Sequence, residues 1–222
     1  METADKTKIL NSKAVYAMII GLGLILTFFV GYLVINNDSS SDIKPIPEVV
    51  TKSTDNPDET PITEENYEWK GKDSDPKYIS LTSIKAGGYI QKVSVDQRNE
   101  VGVPSNVNLA GWFKDSSIPG NKGLSVIDGH VDGLSKPGIF KNIEKLKVND
   151  VFSIEYGNGS TKKFRVTSKT KASIADAPSI LFSQDPIEVS QLNLITCGGT
   201  YDKKARRYLE RIIVTSVPVS AT

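Results

Sequence analysis

Seven short apolar segments between residues 78 and 217, β-branched or alternating in polarity, restrict this part of the chain to an all-β architecture. They are residues 78–84 (YISLTSI), 88–95 (GYIQKVSV), 124–127, 151–156, 163–168, 192–196 and 211–217. Glycine, proline, asparagine and aspartate punctuate the intervals. Branched side chains are stiff at χ1 and pack well on a pleated surface, so such runs favour strands over helices. Gly157-Asn158-Gly159 lies between two of them and predicts a hairpin. Only residues 139–146 and 179–182 read as short helices. Strands at this spacing predict a closed or nearly closed barrel.

Ahead of this region, residues 14–35 (AVYAMIIGLGLILTFFVGYLVI) carry no charge. About 20 apolar residues span a hydrocarbon core as a helix, so the run reads as a transmembrane segment. It ends in Asn36, Asn37 and Asp38 without a small-x-small cleavage site, which identifies an uncleaved anchor rather than a signal peptide. Lys6, Lys8 and Lys13 precede it, and Asp38 and Asp42 follow. Positive charge stays cytoplasmic, so the bulk of the chain is expected outside a single-pass cell membrane anchor. Residues 39–75 are rich in Pro, Ser, Thr, Asp and Glu, too polar to offset their ordering entropy. The expected organisation is therefore 1–13 cytoplasmic, 14–35 transmembrane, 36–76 a flexible extracellular stalk, and 77–222 the β domain. Residues 64–69, acidic and apolar by turns, are expected to dock on that domain as a short helix or lid.

A net charge of +1 gives no electrostatic reason to expect nucleic acid. Lys203, Lys204, Arg206 and Arg207 form a local run that reads as a solvated loop. One cysteine and one histidine exclude an internal disulfide and a multi-ligand Cys/His zinc site. No Asp/Asn/Gly loop of the calcium type is present in the sequence.

The same scarcity focuses attention on two residues. Cys197 ends the apolar run Leu192, Leu194, Ile195 and is followed by Gly198-Gly199, where backbone can approach a ligand closely. Outside a cell a solitary thiol is exposed to oxidation. His130 lies just past the run 124–127, beside a glycine and between Asp128 and Asp132. A nucleophilic thiol needs a proton acceptor and positive surroundings, and His130 is the one imidazole available. Attack on an amide also needs stabilisation of an oxyanion, which a guanidinium supplies with two fixed donors and a permanent charge. Arg206, Arg207 and Arg211 all follow Cys197 within one hairpin. Arg211 opens the strand Ile212-Ile213-Val214 and is held by it, which favours it over Arg206 on rigidity.

The GHVD segment at His130, the LITCGG segment around Cys197 and the arginine opening RIIV resemble the histidine region, the T-C nucleophile strand and the R-Φ-Φ-V strand of the sortase family, in the same order. VGVPSNVNLAGWF and PGNKGLSVIDGHVDG are similar to the region leading to the family's histidine. The glycines after the cysteine resemble class F-like and class E-like sortases more than classes A or C. The resemblance covers roughly residues 78–217 and implies an eight-stranded β-barrel with short helices, preceded by a transmembrane helix. It implies cysteine transpeptidation: cleavage of a C-terminal sorting signal similar to LPxTG on surface proteins, through an acyl-enzyme on Cys197. A cell-wall or pilin amine would resolve that acyl-enzyme. It assigns His130 to proton transfer, Arg211 (with Arg206 as the alternative) to the arginine role, and Thr196 to shaping the oxyanion environment. No cofactor and no metal are implied. The segment between cysteine and final strand varies in length in this subgroup, which keeps Arg206 open. No extended N-terminal lid with a substrate-mimicking motif is evident, which argues against a pilin polymerase.

Two other classes compete. An L,D-transpeptidase-like cross-linker of peptidoglycan also uses an extracytoplasmic cysteine, but in a serine-x-glycine-cysteine context that ITCGG does not match. An anchored binding module with a merely buried cysteine would tolerate Cys197→Ala with its ligand affinity intact.

Overall fold

The computed structural model describes residues 44–45, 56–95 and 101–219. The apolar run 14–35, the segment before it and most of residues 36–55 lie outside the described residues. Among the described residues no helix is long and apolar enough to cross a membrane.

Eight strands close into the expected barrel: β3 (Pro76–Leu81), β4 (Ala86–Val93), β5 (Ala110–Phe113), β6 (Gly123–Gly129), β7 (Val151–Tyr156), β8 (Thr161–Ser173), β9 (Ser190–Asp202) and β10 (Arg207–Pro218). Around the barrel they run β10-β8-β7-β3-β4-β5-β6-β9, and β9 pairs with β10 to close it. Two pairings, β4 with β5 and β6 with β9, are parallel; the other six are antiparallel. The Gly157–Gly159 turn joins β7 to β8 as expected, with Gly159 at φ +79°, a left-handed conformation that suits glycine.

Alternate residues fill the interior. Ile79, Leu81, Ile127, Phe152, Phe164, Leu192, Leu194, Ile212 and Val214 meet there in one cluster. Phe152 and Phe164 face each other across β7 and β8 with ring centroids 5.6 Å apart. The intervening residues of β6, β9 and β10 are buried too. Val126, Ile195 and Ile213 pack outward against Ala172 of β8 and against Ala177 and Leu181 of the short helix Ala177–Leu181. These strands therefore have two dry faces, which is why they appear in sequence as continuous apolar runs rather than as alternation.

Three expectations change. Residues 139–146 form no α-helix; a single 3₁₀ turn, Ile143–Lys145, occupies the segment. Its buried residues Phe140, Ile143 and Leu146 recur every third position, the 3₁₀ period. Strand β5 has no β-branched residue and a glycine in its four positions, so no strand signal marked it. The third change concerns the stalk. From Asn56 onward the expected flexible segment is folded onto the barrel, so the boundary of the β domain moves back by about 20 residues. Polar groups hold it where apolar ones are scarce. Asp58 N donates to Ser105 O at 2.9 Å and Val107 N to Asp58 O at 2.9 Å. Glu59 accepts from the backbone N of Ser135 at 2.8 Å and from the Ser135 hydroxyl. Asn106 Nδ2 donates to Thr60 O at 3.0 Å. Further on, Tyr67 is buried against Leu109, Trp69 Nε1 donates to Ile90 O at 2.9 Å, and Asp75 pairs with Lys92 at 2.9 Å in a mostly buried salt bridge. Residues 64–69 do dock on the domain, but as an extended segment: Tyr67–Glu68 (β2) pairs in parallel with Lys44–Pro45 (β1).

Candidate active site

Strand β9 lies between β6 and β10, and its position in the barrel determines what surrounds Cys197. Side chains alternate along a strand, so residues two apart share a face. On β9, Ile195 faces outward, and Cys197 follows it on that face. On β10, Ile213 faces outward and so does Arg211. On β6, Val126 faces outward and Asp128 follows. The register aligns them. Arg211 is the direct cross-strand partner of Cys197, and Asp128 is level with Ile195. Continuing the parallel register by two residues brings His130, just beyond the end of β6, level with Cys197. Cys197 thus stands on the central strand, with His130 level with it on one side and Arg211 on the other.

Thr196 points the other way. Its side chain is buried, and its hydroxyl donates to the carbonyl of Gly129 at 2.6 Å. This bond ties the residue before the cysteine to the residue before the histidine, and so fixes the two strand ends to one another. Thr196 thus holds the backbone of the histidine segment from inside the barrel.

Gly199 has φ +72°, and a Cβ there would collide with the Glu210 carboxylate. The β9–β10 register slips at this point: Glu210 pairs with Gly198, but Tyr208 pairs with Tyr201, so Gly199 and Thr200 oppose the single residue Leu209. This is a bulge with glycine in the left-handed region. Gly199 therefore serves the strand geometry, while a Cβ at Gly198 would press on the Ile212 side chain.

His130 Nε2 lies 2.7 Å from the carbonyl of Pro104. A carbonyl only accepts, so Nε2 carries the hydrogen and Nδ1 is left with its lone pair. Burial holds His130 below its usual value, opposed by the Pro104 contact and by Asp132. Burial pushes the Cys197 thiol up to about 11; Arg211 works against this, while Asp128 and Asp132 add to it. Near neutral pH the resting pair is therefore a protonated thiol beside a neutral imidazole. Arg211 Nη1 donates to the carbonyls of Glu210 (2.9 Å) and Tyr208 (3.4 Å), and its charge is near enough to Cys197 to favour the thiolate. Arg206 sits in the hairpin turn, exposed, with φ +52°, past the end of β9 at Asp202.

Sequence reasoning named Asp132 only as a neighbour of His130 and passed over Tyr208. The Tyr208 hydroxyl donates to Asp132 Oδ2, and Lys141 Nζ lies 3.6 Å from the same oxygen. This contact links the loop after His130 to the hairpin after Cys197. The HVD sequence was the available signal, but its partner lies 76 residues away. No group of acidic, histidine or cysteine residues suited to a metal ion occurs among the described residues.

A closed barrel carries its one cysteine, its one histidine and a strand-held arginine level with one another at a single rim, an arrangement suited to cysteine-based acyl transfer. The chain belongs to the sortase family: the family model for the sortase domain matches residues 85–219, more than half of its length. Solved structures agree. Sortase A from Corynebacterium diphtheriae (a lid mutant) is 25% identical with a TM-score of 0.52, over 66% of this chain and 71% of that one. Sortase C-1 from Actinomyces oris is 27% identical with a TM-score of 0.51, over 66% and 74% respectively. These two are of classes A and C, so the expected class F-like or E-like assignment is not shown by them. No curated protein matches the chain.

Proposed function

We propose that this sortase is a membrane-anchored, extracellular transpeptidase that cleaves an LPxTG-like sorting signal and transfers the surface protein to a cell-envelope amine of wall or pilin. The observation that carries the reading is the row His130–Cys197–Arg211 across three neighbouring strands. Cys197 attacks the carbonyl of the signal's threonine after giving its proton to His130 Nδ1. Arg211 stabilises the tetrahedral oxyanion, and the imidazolium then protonates the departing amine. The resulting thioester is resolved by an incoming amine, whose proton returns through His130. Thr196 acts through backbone by locking the strand ends. The uncharged run 14–35 and its lysine flank support the anchor and its orientation.

The test is direct. The chain is incubated with LPxTG-like peptides of varied sequence and an amine, and thioester and product are followed by mass. Cleavage and transfer abolished by Cys197→Ala are expected. Absence of both across the motifs, or turnover that survives Cys197→Ala, would sink the proposal.

A further inference from the structure

Asp128 is a carboxylate that the reaction above does not use. It lies on the outward face of β6, level with Ile195 on the neighbouring strand, so its Cα stands about 8 Å from that of Cys197 for ordinary strand spacings. It is only partly accessible, and the protein around its carboxyl pushes it up to about 7. Its Oδ1 accepts from the Gly129 N–H at 2.6 Å. Among the described residues no lysine or arginine forms an ion pair with it, although Arg211 is near enough to favour its charge. Asp132, the other carboxylate facing the thiol, is already engaged by Tyr208 and Lys141. For acylation Asp128 is a handicap, because a negative charge there opposes the thiolate.

The second half-reaction has the opposite need. An acceptor amine arrives as an ammonium ion and must shed two protons to become an amide nitrogen. One must leave before attack, to expose the lone pair. The other leaves as the C–N bond forms and the C–S bond breaks, and it ends on the Cys197 sulfur by way of His130. A single imidazole serves one of these transfers. The geometry points to Asp128 as the group that receives the incoming ammonium beside the thioester and takes its first proton. The free amine then attacks the acyl carbon, Arg211 holds the oxyanion, the thiolate departs and is protonated through His130, and Asp128 releases its proton to solvent. Atoms and charges balance without any further reactant. The acceptor class is therefore a primary ammonium, and the assignment rests on the function proposed above.

The test compares Asp128→Asn and Asp128→Glu with the unmodified full chain in detergent, using an LPxTG-like peptide as donor. Acceptors are glycinamide, which is largely cationic at neutral pH, and hydroxylamine, which is uncharged there. Thioester formation measured by mass reports folding and acylation separately from transfer. For Asp128→Asn we expect acylation at least as fast as in the unmodified chain, since a charge opposing the thiolate is gone. Transfer to glycinamide should fall about a hundredfold in kcat/KM, with more of the thioester lost to hydrolysis, while hydroxylamine is far less affected. Asp128→Glu should recover part of the loss. Equal effects on glycinamide and hydroxylamine, or none on either, would overturn the assignment while leaving the transpeptidase reading intact. A chain that forms no thioester with the peptide overturns both.

Discussion

Replacing Arg211 by alanine separates two contributions that the site combines. Arg211 is the direct cross-strand partner of Cys197, and such pairs have Cα atoms about 5 Å apart. With charge centres about 6 Å apart and an effective dielectric constant of about 20 to 40, the guanidinium favours the thiolate by about 1.4 to 2.8 kcal/mol. Its removal should therefore lower the thiolate population, and the rate of iodoacetamide alkylation at fixed pH below 9, by about ten- to a hundredfold. The second contribution exists only once a substrate oxyanion forms. Losing a donor to that oxyanion costs about 10²- to 10³-fold. Single-turnover acylation should thus fall by a larger factor than alkylation in the same variant. Arg206→Ala is the matched control, since that residue is exposed on the hairpin turn. Full acylation in Arg211→Ala together with a collapse in Arg206→Ala would refute the reasoning, register argument included.

The pH profile follows from the resting protonation states. Deprotonating the thiol while protonating the imidazole leaves the proton count unchanged, so the productive ion pair is a constant fraction between the two titrations. The kcat/KM for peptide cleavage should rise along an acid limb below 6.5, set by His130, and fall along an alkaline limb near 11, set by Cys197. A modest decline through about 7 is superimposed as Asp128 ionises, and Asp128→Asn should remove it. For Thr196→Val, the hydroxyl that donates to Gly129 at 2.6 Å is lost from a buried position. Stability in urea titration should fall by about 1 to 3 kcal/mol, with kcat reduced in the surviving folded protein.

Much of this was legible because strands write themselves locally. β7 was bounded to the residue by its alternation, and the thiol, imidazole and arginine stood out through scarcity and strand-end position. What escaped depended on distant partners. Residues 56–75 look like a stalk because their contacts are Asp58 with Ser105, Glu59 with Ser135 and Asn106 with Thr60, polar contacts that leave no periodic trace. Strand β5 escaped since AGWF relies on its neighbours β4 and β6 for its extended form. The 139–146 segment shows a different limit, since a 3₁₀ turn and a short helix bury apolar residues at similar spacing. Gly198-Gly199 was read as room for a ligand, while the register slip at Leu209 shows a backbone requirement.

The parallel pairing of β6 with β9 also bears on how the enzyme comes into being. Its Thr196–Gly129 bond spans 67 residues, and β7, β8 and the short helix must all be made and folded between the two strands. Contacts of such sequence separation carry a high loop-closure entropy and tend to form late. β10, which brings Arg211, is the last of the described strands in chain order and fits between β8 and β9. A nascent chain therefore pairs its thiol with the guanidinium through a local hairpin, but brings the imidazole segment level with them only when β6 and β9 join. Assembly of the full row is thus coupled to the closing of the barrel.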